Sequence, residues 1–359
     1  MGLPNIEITF QALANTAVQR LARGTVGIIL KDSKDNGACE LSRASQIAEK
    51  LPQLGADNRA YIARAFLGYV DAPKKVVAYV LPDSAEDYSE ALAYMATQRV
   101  DYLAGPPDID TAGCGEIKDW VLGMREAGAT PKAVLPNTAA DNCAIVNFTT
   151  EGILSGGKAY TAAGYCSRIA GLIAGTPITM SGTSAALPEV EGVDSLSKAD
   201  MDAAVDAGKF IIYGDGTKVK VARAVNSLTA PSPAKGENGS FKKIKVVEAM
   251  DMISDDIRAT AQDTYIGRYP NSYENKCLLV VEISNYLKLL ERDGVLASGK
   301  SSVSIDIAAQ EKYLTEQGVD ISALSEQDIK EANTGSAVFL AAAVSIIDAI
   351  EDITLNVSI

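Results

Sequence analysis

The 359-residue chain contains no histidine. That absence removes the commonest general base near neutral pH and the commonest zinc ligand, and it excludes Ser–His–Asp and Cys–His nucleophilic catalysis. Carboxylate, lysine or nucleotide chemistry stays open. Cysteine is sparse: Cys39, Cys114, Cys143, Cys166 and Cys277 form no CxxC pair, and an odd, scattered count does not make a disulfide framework. Buried free thiols are the expectation. Aromatic residues make up 6% of the chain, with Trp120 the sole tryptophan, so there is no stacking platform for single-stranded nucleic acid. Basic tracts are missing as well. With a net charge of −13, nothing would release phosphate counterions, and neither nucleic acid nor an anionic membrane surface is an expected partner. The apolar runs at 76–81 and 339–347 are too short to span a bilayer, so no membrane insertion is expected. No basic region followed by an apolar core marks a secretion signal, which places folding in the cytoplasm.

What the chain does have is strand patterning at both ends. Near the start, Ile6, Ile8 and Phe10 alternate with Glu7 and Thr9; at the finish, residues 353–359 read ITLNVSI, with Ile353, Leu355, Val357 and Ile359 on one face. A lone terminal strand presents unpaired N–H and C=O groups and one apolar face, and so calls for a sheet edge to receive it.

Between the ends, β and α patterns alternate. Strands are expected at 25–30, 75–80, 100–104, 133–135 and 144–148. Helices are expected over 44–66 (broken at Pro52 and Gly55), from an N-cap at Ser84 to about 98, over about 114–127 and over about 161–174. Such alternation implies a mainly parallel sheet covered by helices. Segments 209–213 and 219–224 read as a hairpin joined by Gly214, Asp215 and Gly216. TAPSPAKGENGS, at 229–240, is the strongest linker signal. Beyond it, 245–265 and 273–292 read as helices separated by a turn at Pro270, Asn271 and Ser272. Val303, Ile305 and Ile307 alternate as a strand, 308–318 reads as a helix, and a last strand pair falls at 337–345 and 353–359. The expected division is an arm at 1–20, an α/β domain at 21–230, a linker at 231–240, an α+β domain at 241–350 and a second arm at 351–359.

One motif points to chemistry. Residues 152–158 fit the GxxxxGK pattern of a phosphate loop, with Gly152, Gly157 and Lys158 in place after a strand and before a helix. The position after the lysine should supply a hydroxyl for magnesium, and Ala159 has none. No apolar strand ends in the required Asp, so a plain Gly-rich loop is favoured over a nucleotide-binding enzyme. Asp251, Asp255 and Asp256 share one helix, and Glu189 and Glu191 one loop. In so acidic a chain these read as solvated faces before they read as catalytic pairs.

Several stretches resemble the contractile tail sheath proteins of phages and of phage-tail-like, R-type bacteriocins. They are GLPNIEITFQALANTAVQRLARGTVGIIL near the start, RIAGLIAGTPITMSGTS at 168–184, VKVARAVNSLT at 219–229 and the long segment 241–296 that begins FKKIKVVEAMDMISDDIRATAQDTYIGRYPNSYENK. The resemblance runs in order over most of the chain. It implies a structural protein with no enzymatic activity, cofactor or metal. Many copies would stack helically around an inner tail tube and contract to drive it through a target cell envelope.

The implied fold is α/β plus α+β: an outer α/β domain of subtilisin-like topology and an inner C-terminal α+β domain, with extended N- and C-terminal strand arms. The arms, carrying Ile6, Ile8, Phe10, Ile353, Leu355, Val357 and Ile359, would each add a strand to the C-terminal-domain sheet of an adjacent subunit. The candidate acceptor strands carry Val303, Ile305, Ile307, Val338 and Leu340. Implied partners are other copies of the chain, the tube protein, the baseplate and the tail terminator. Assembly would occur in the bacterial cytoplasm, before release in a virion tail or bacteriocin particle. Burying the four C-terminal apolar side chains would contribute about 6 to 12 kcal/mol, against about 7 to 14 kcal/mol for ordering seven backbones. Docking of one arm is thus decided by its ladder hydrogen bonds, and a lattice that holds acceptors close makes all arms engage together.

Overall fold

The structure, a computed structural model, describes Val18, Arg20 and residues 23–358. The expected strand at Ile6, Ile8 and Phe10, and the last arm residue, Ile359, lie outside the described residues. The chain divides into two compact units. The central unit takes residues 22–252 together with 348–359, and the helical unit takes 253–347 together with 1–21.

The strands, in chain order, are β1 (Thr25–Lys31), β2 (Gly37–Leu41), β3 (Lys75–Leu81), β4 (Tyr102–Ala104), β5 (Lys132–Pro136), β6 (Ile145–Phe148), β7 (Ile153–Ser155), β8 (Lys158–Tyr160), β9 (Lys209–Phe210), β10 (Ile212–Gly214), β11 (Val219–Val221), β12 (Ser302–Ile305) and β13 (Leu340–Ala343). The helices are α1 (Ile47–Lys50), α2 (Ala56–Ala65), α3 (Ser89–Ala96), α4 (Thr111–Glu126), α5 (Ala162–Ala174), α6 (Lys198–Asp206), α7 (Ile244–Thr260), α8 (Tyr273–Arg292), α9 (Ile307–Glu316) and α10 (Glu326–Glu331).

In the central unit the β-branched runs assemble a seven-stranded sheet of order β2-β3-β1-β4-β5-β6-β9. It is parallel throughout except for β2, which runs antiparallel to β3. Alternation sends Val26, Ile28, Leu30, Val76 and Val80 into the core shared with α2 and α5. Ile29, Val77, Leu81 and Leu103 go into a second core with α3 and α4. Both faces are therefore covered, as near-continuous apolar strands require. On the first face α5 presses directly on the backbone of α2: a Cβ at Gly171 would stand 1.9 Å from the Ala65 carbonyl oxygen, so only glycine fits there.

Several expectations shift. The third helix starts at Ser89, not after Ser84, because the Ala85 N–H donates to Pro82 O in a tight turn and the Tyr88 N–H is held by Glu116. The run at 209–213 splits in two. Lys209 and Phe210 extend the main sheet beside β6, while β10 pairs with β11 in the expected hairpin. The strand β2 and the helix α6 had no expectation at all.

In the helical unit, α7 continues from Ile253 and closes in a π turn at Ala261–Tyr265, followed by the turn into α8. β12 and β13 form an antiparallel ribbon, Ser302 opposite Ala343 and Ile305 opposite Leu340. Ile307 is not a strand residue. Asp306 accepts a hydrogen bond from the Ala309 N–H and caps α9, so the period-two pattern ends at Ile305. Val338 also falls outside the strand, since Thr334 and Asn271 side chains both donate to Ala337 O and hold that stretch as a turn. The expected last pair does not form within the chain: 340–343 pairs with β12, and 353–358 has no strand partner among the described residues.

Candidate assembly surface

The phosphate-loop reading fails in detail. Residues 153–160 are a β-hairpin, β7 against β8, with Gly156 and Gly157 at its turn, where both take positive φ. Lys158 pairs with Asp57 at 2.6 Å. A two-residue Gly-Gly turn between strands is a hairpin signal already present in the sequence. The carboxylates are structural too. Glu189 holds the buried Arg168 guanidinium at 2.6 Å and accepts from Tyr165 at 3.0 Å. Asp251 and Asp256, expected on a solvated face, are both buried. The Tyr286 hydroxyl donates to Asp256 at 2.7 Å. All five cysteines are free, with Cys114 and Cys166 buried and the others half-buried.

The ribbon is a two-stranded sheet with one exposed strand, β13. The Asp306 N–H donates to Phe339 O, which sets the phase of the ladder. Bonded pairs alternate, so Ser304 with Ala341 and Ser302 with Ala343 exchange bonds, while Val303, Ile305, Leu340 and Ala342 turn their backbone groups outward. Ala341, Ala342 and Ala343 are exposed. The pairing continues past the strands, with the Ala297 N–H donating to Ser345 O and the Ile347 N–H to Val295 O. Of the candidate acceptors, Val303, Ile305 and Leu340 lie in this ribbon, and Ile307 and Val338 do not.

The C-terminal arm has a fixed root and a bare tip. Glu351 accepts from Ser181 Oγ at 3.0 Å and Thr183 Oγ1 at 2.6 Å, and its side chain is 5% exposed. Lys243 pairs with Asp348 and lies 3.4 Å from Glu351. Arg223 donates to Asp352 at 2.6 Å. Burial works against the Lys243 ammonium, but the Asp348 hydrogen bond and the two carboxylate charges outweigh it and raise its pKa. Burial likewise opposes the Asp348 carboxylate, and Lys243 wins, so the acid titrates low. Beyond Asp352 this grip ends: Ile353, Leu355 and Val357 are 83%, 79% and 73% exposed.

A second charged cluster sits where the N-terminal segment enters β1. Asp101 accepts from the Gly24 and Thr25 N–H groups at 2.7 and 2.8 Å. Glu248, in the first turns of α7, receives Arg23 at 2.7 Å, Lys132 at 3.0 Å and the Tyr102 hydroxyl at 2.6 Å. Asp251, one turn on, takes a bidentate bond from Arg125 and pairs with Lys132 at 2.9 Å. Burial would push both acids up, but Lys132 with Arg23 on Glu248, and Lys132 with Arg125 on Asp251, reverse this. Glu248 is held at about 2 and Asp251 below the ordinary carboxylate value. Neither this cluster nor the arm root was legible in the sequence, since their members lie more than a hundred residues apart.

The comparisons with known proteins agree on one kind of molecule. The family model for the phage tail sheath protein central domain matches residues 83–227, and that for the phage tail sheath C-terminal domain matches 237–359. The tail sheath protein of Clostridium phage phiCD119 is 38% identical, covering 99% of both chains. Among solved structures, the sheath tail protein of Desulfitobacterium hafniense shares the fold at a TM-score of 0.70 and 17% identity, over 84% of this chain and 94% of that one. The helical sheath of the anti-feeding prophage in its contracted state does so at 0.72 and 13%, over 100% and 99%. With a curated relative matched from end to end and family models over both halves, the chain belongs to the phage tail sheath proteins, structural components of contractile tails and not enzymes.

Proposed function

We propose that this sheath protein polymerises helically around an inner tail tube and contracts to drive the tube through a target cell envelope, its copies linked by strand exchange of both termini. The carrying observation is the coexistence of a strand-patterned tip, Ile353, Leu355 and Val357, that has no strand partner among the described residues, with a ribbon whose strand β13 is exposed. A strand with a bare apolar face and an edge with outward N–H and C=O groups are the two halves of β-augmentation. The relatives named for contracted sheaths support the same reading.

On this reading Val303, Ile305 and Leu340 belong to the acceptor, and Ile6, Ile8, Phe10 and Ile359 complete the arms. The domain at 21–230, of subtilisin-like topology by family resemblance, lies outside, and the domain at 241–350 faces the tube, with 231–240 as linker. The tube protein, the baseplate and the tail terminator are the other partners, met in the bacterial cytoplasm before the particle is released.

Deleting residues 353–359 tests this directly. The truncated chain should fold with an unchanged melting temperature yet form no tubular polymers under the electron microscope. Tubes of normal length from the truncated protein would sink the strand-exchange reading.

A further inference from the structure

We infer that residues 348–352 are a fixed anchor for the C-terminal arm, and that Glu351, seated among Ser181, Thr183, Arg223 and Lys243, is the positioning residue that sets where the exchanging strand leaves its own subunit. This rests on the strand-exchange reading and deepens it. A carboxylate with a 5% exposed side chain, two hydroxyl donors and two cations nearby stands just before a segment whose apolar side chains are largely exposed. Charge-assisted hydrogen bonds are the strong ones, and a seat built of hydroxyls and cations accepts an acid in one place only. The neighbouring acids repeat the grip, Asp348 on Lys243 and Asp352 on Arg223. After Asp352 the polarity inverts to Ile353, Leu355 and Val357, all exposed.

The anchor has two consequences for assembly. First, the part that can travel begins at 353, and as a strand the residues 353–359 reach about 23 Å. The recipient is therefore a second copy of this chain whose open strand edge begins within that distance of Asp352. Second, an arm rooted at a fixed point loses less freedom on docking than one free from 348 onward, because five fewer backbones are left to order. A loose root would enlarge the volume the tip searches and lower its effective concentration at the acceptor.

Backbone nitrogen relaxation on the unaltered chain tests the anchor apart from any assembly. Order parameters at 348–352 should match the folded core, near 0.85, and fall below about 0.6 from 353. Uniform mobility across 348–358 would overturn the inference. Glu351→Lys then places a cation against Arg223 and Lys243 and should free the root without touching the tip. We expect an unchanged melting temperature, mobility extending back to 348, and at least a tenfold lower yield of tubes, recovered when Lys243→Glu is added. Equal tube yield from Glu351→Lys and the unaltered chain would also overturn it. A tip deletion that still polymerised would instead remove the strand-exchange reading, while the relaxation profile would still decide whether the root is fixed.

Discussion

Two of the sheets in this protein, the seven-stranded one and the β12–β13 ribbon, treat their edges in opposite ways. The seven-stranded sheet ends in β2, five residues long with Glu40 pointing out and salt-bridged to Lys75 at 3.3 Å, and in β9, only two residues long. Short, charged edges are how soluble sheets avoid recruiting foreign strands. The ribbon strands are short too, four residues each, but they carry no charge. From Leu340 to Ile347 the sequence is LAAAVSII, with no charge and no proline, and its side chains are exposed or half-buried. In an ordinary monomer that stretch would be an aggregation hazard. Under the proposed strand exchange it would receive a neighbour's arm, so on that reading the large sheet is sealed and the ribbon is left open for assembly.

Three measurements put that contrast to the test. The largest effect belongs to the sealed half. Lys132→Met removes the cation shared by Glu248 and Asp251 and leaves buried carboxylates underpaired, so the cost should be about 3–5 kcal/mol, read from the urea midpoint. An unchanged midpoint would show that Arg23 and Arg125 suffice.

Next is acid. Glu248 is held at about 2, below its unfolded value of 4.5, and Asp251 is lowered too. A carboxylate depressed in the fold stabilises in full above its unfolded pKa and loses that contribution as pH falls through the folded one. Stability should therefore drain between about pH 4.5 and 2, on the order of 3 kcal/mol for Glu248. Glu248→Gln should flatten that limb. The ribbon strands, with no titratable side chain at 302–305 or 340–343, add nothing to it.

How much of this the sequence disclosed follows from where the signals lie. Buried parallel strands carry their signal locally, so β1, β3 and β5 could be found from apolar runs, and α8 was found to the residue because Ser272 caps it and its apolar stripe is regular. The strand β2, GACEL, reads as nothing because pairing with β3, rather than its own side chains, makes it a strand. Ile307 misled because its spacing continues the strand period while Asp306, one residue earlier, is a helix cap. The Gly-Gly pair at 156–157 lies in a stretch that reads as a plain Gly-rich loop before it reads as a phosphate loop, and the hairpin it turns carried no expectation. The period-two pattern of the proposed arm at 353–359 is visible in the sequence. The anchor is not. Asp348, Glu351 and Asp352 look like any acidic surface patch until Thr183, Arg223 and Lys243 are brought beside them.

The smallest effect on the subunit is the sharpest test of the open edge. Ala342 faces its backbone N–H away from β12, so Ala342→Pro costs no bond of the existing ladder, and proline is tolerated at such edge positions. The urea midpoint should move by less than about 1 kcal/mol. The same proline removes one donor from the free edge and fills the space an added strand would occupy. If β13 receives the neighbour's arm, tube formation should fail although the monomer is intact, and Ala341→Pro, which breaks an inward bond instead, should destabilise the monomer. If Ala342→Pro assembles normally, the arm docks on the β12 side, at Val303 and Ile305, and the exposed alanines of β13 serve some other contact.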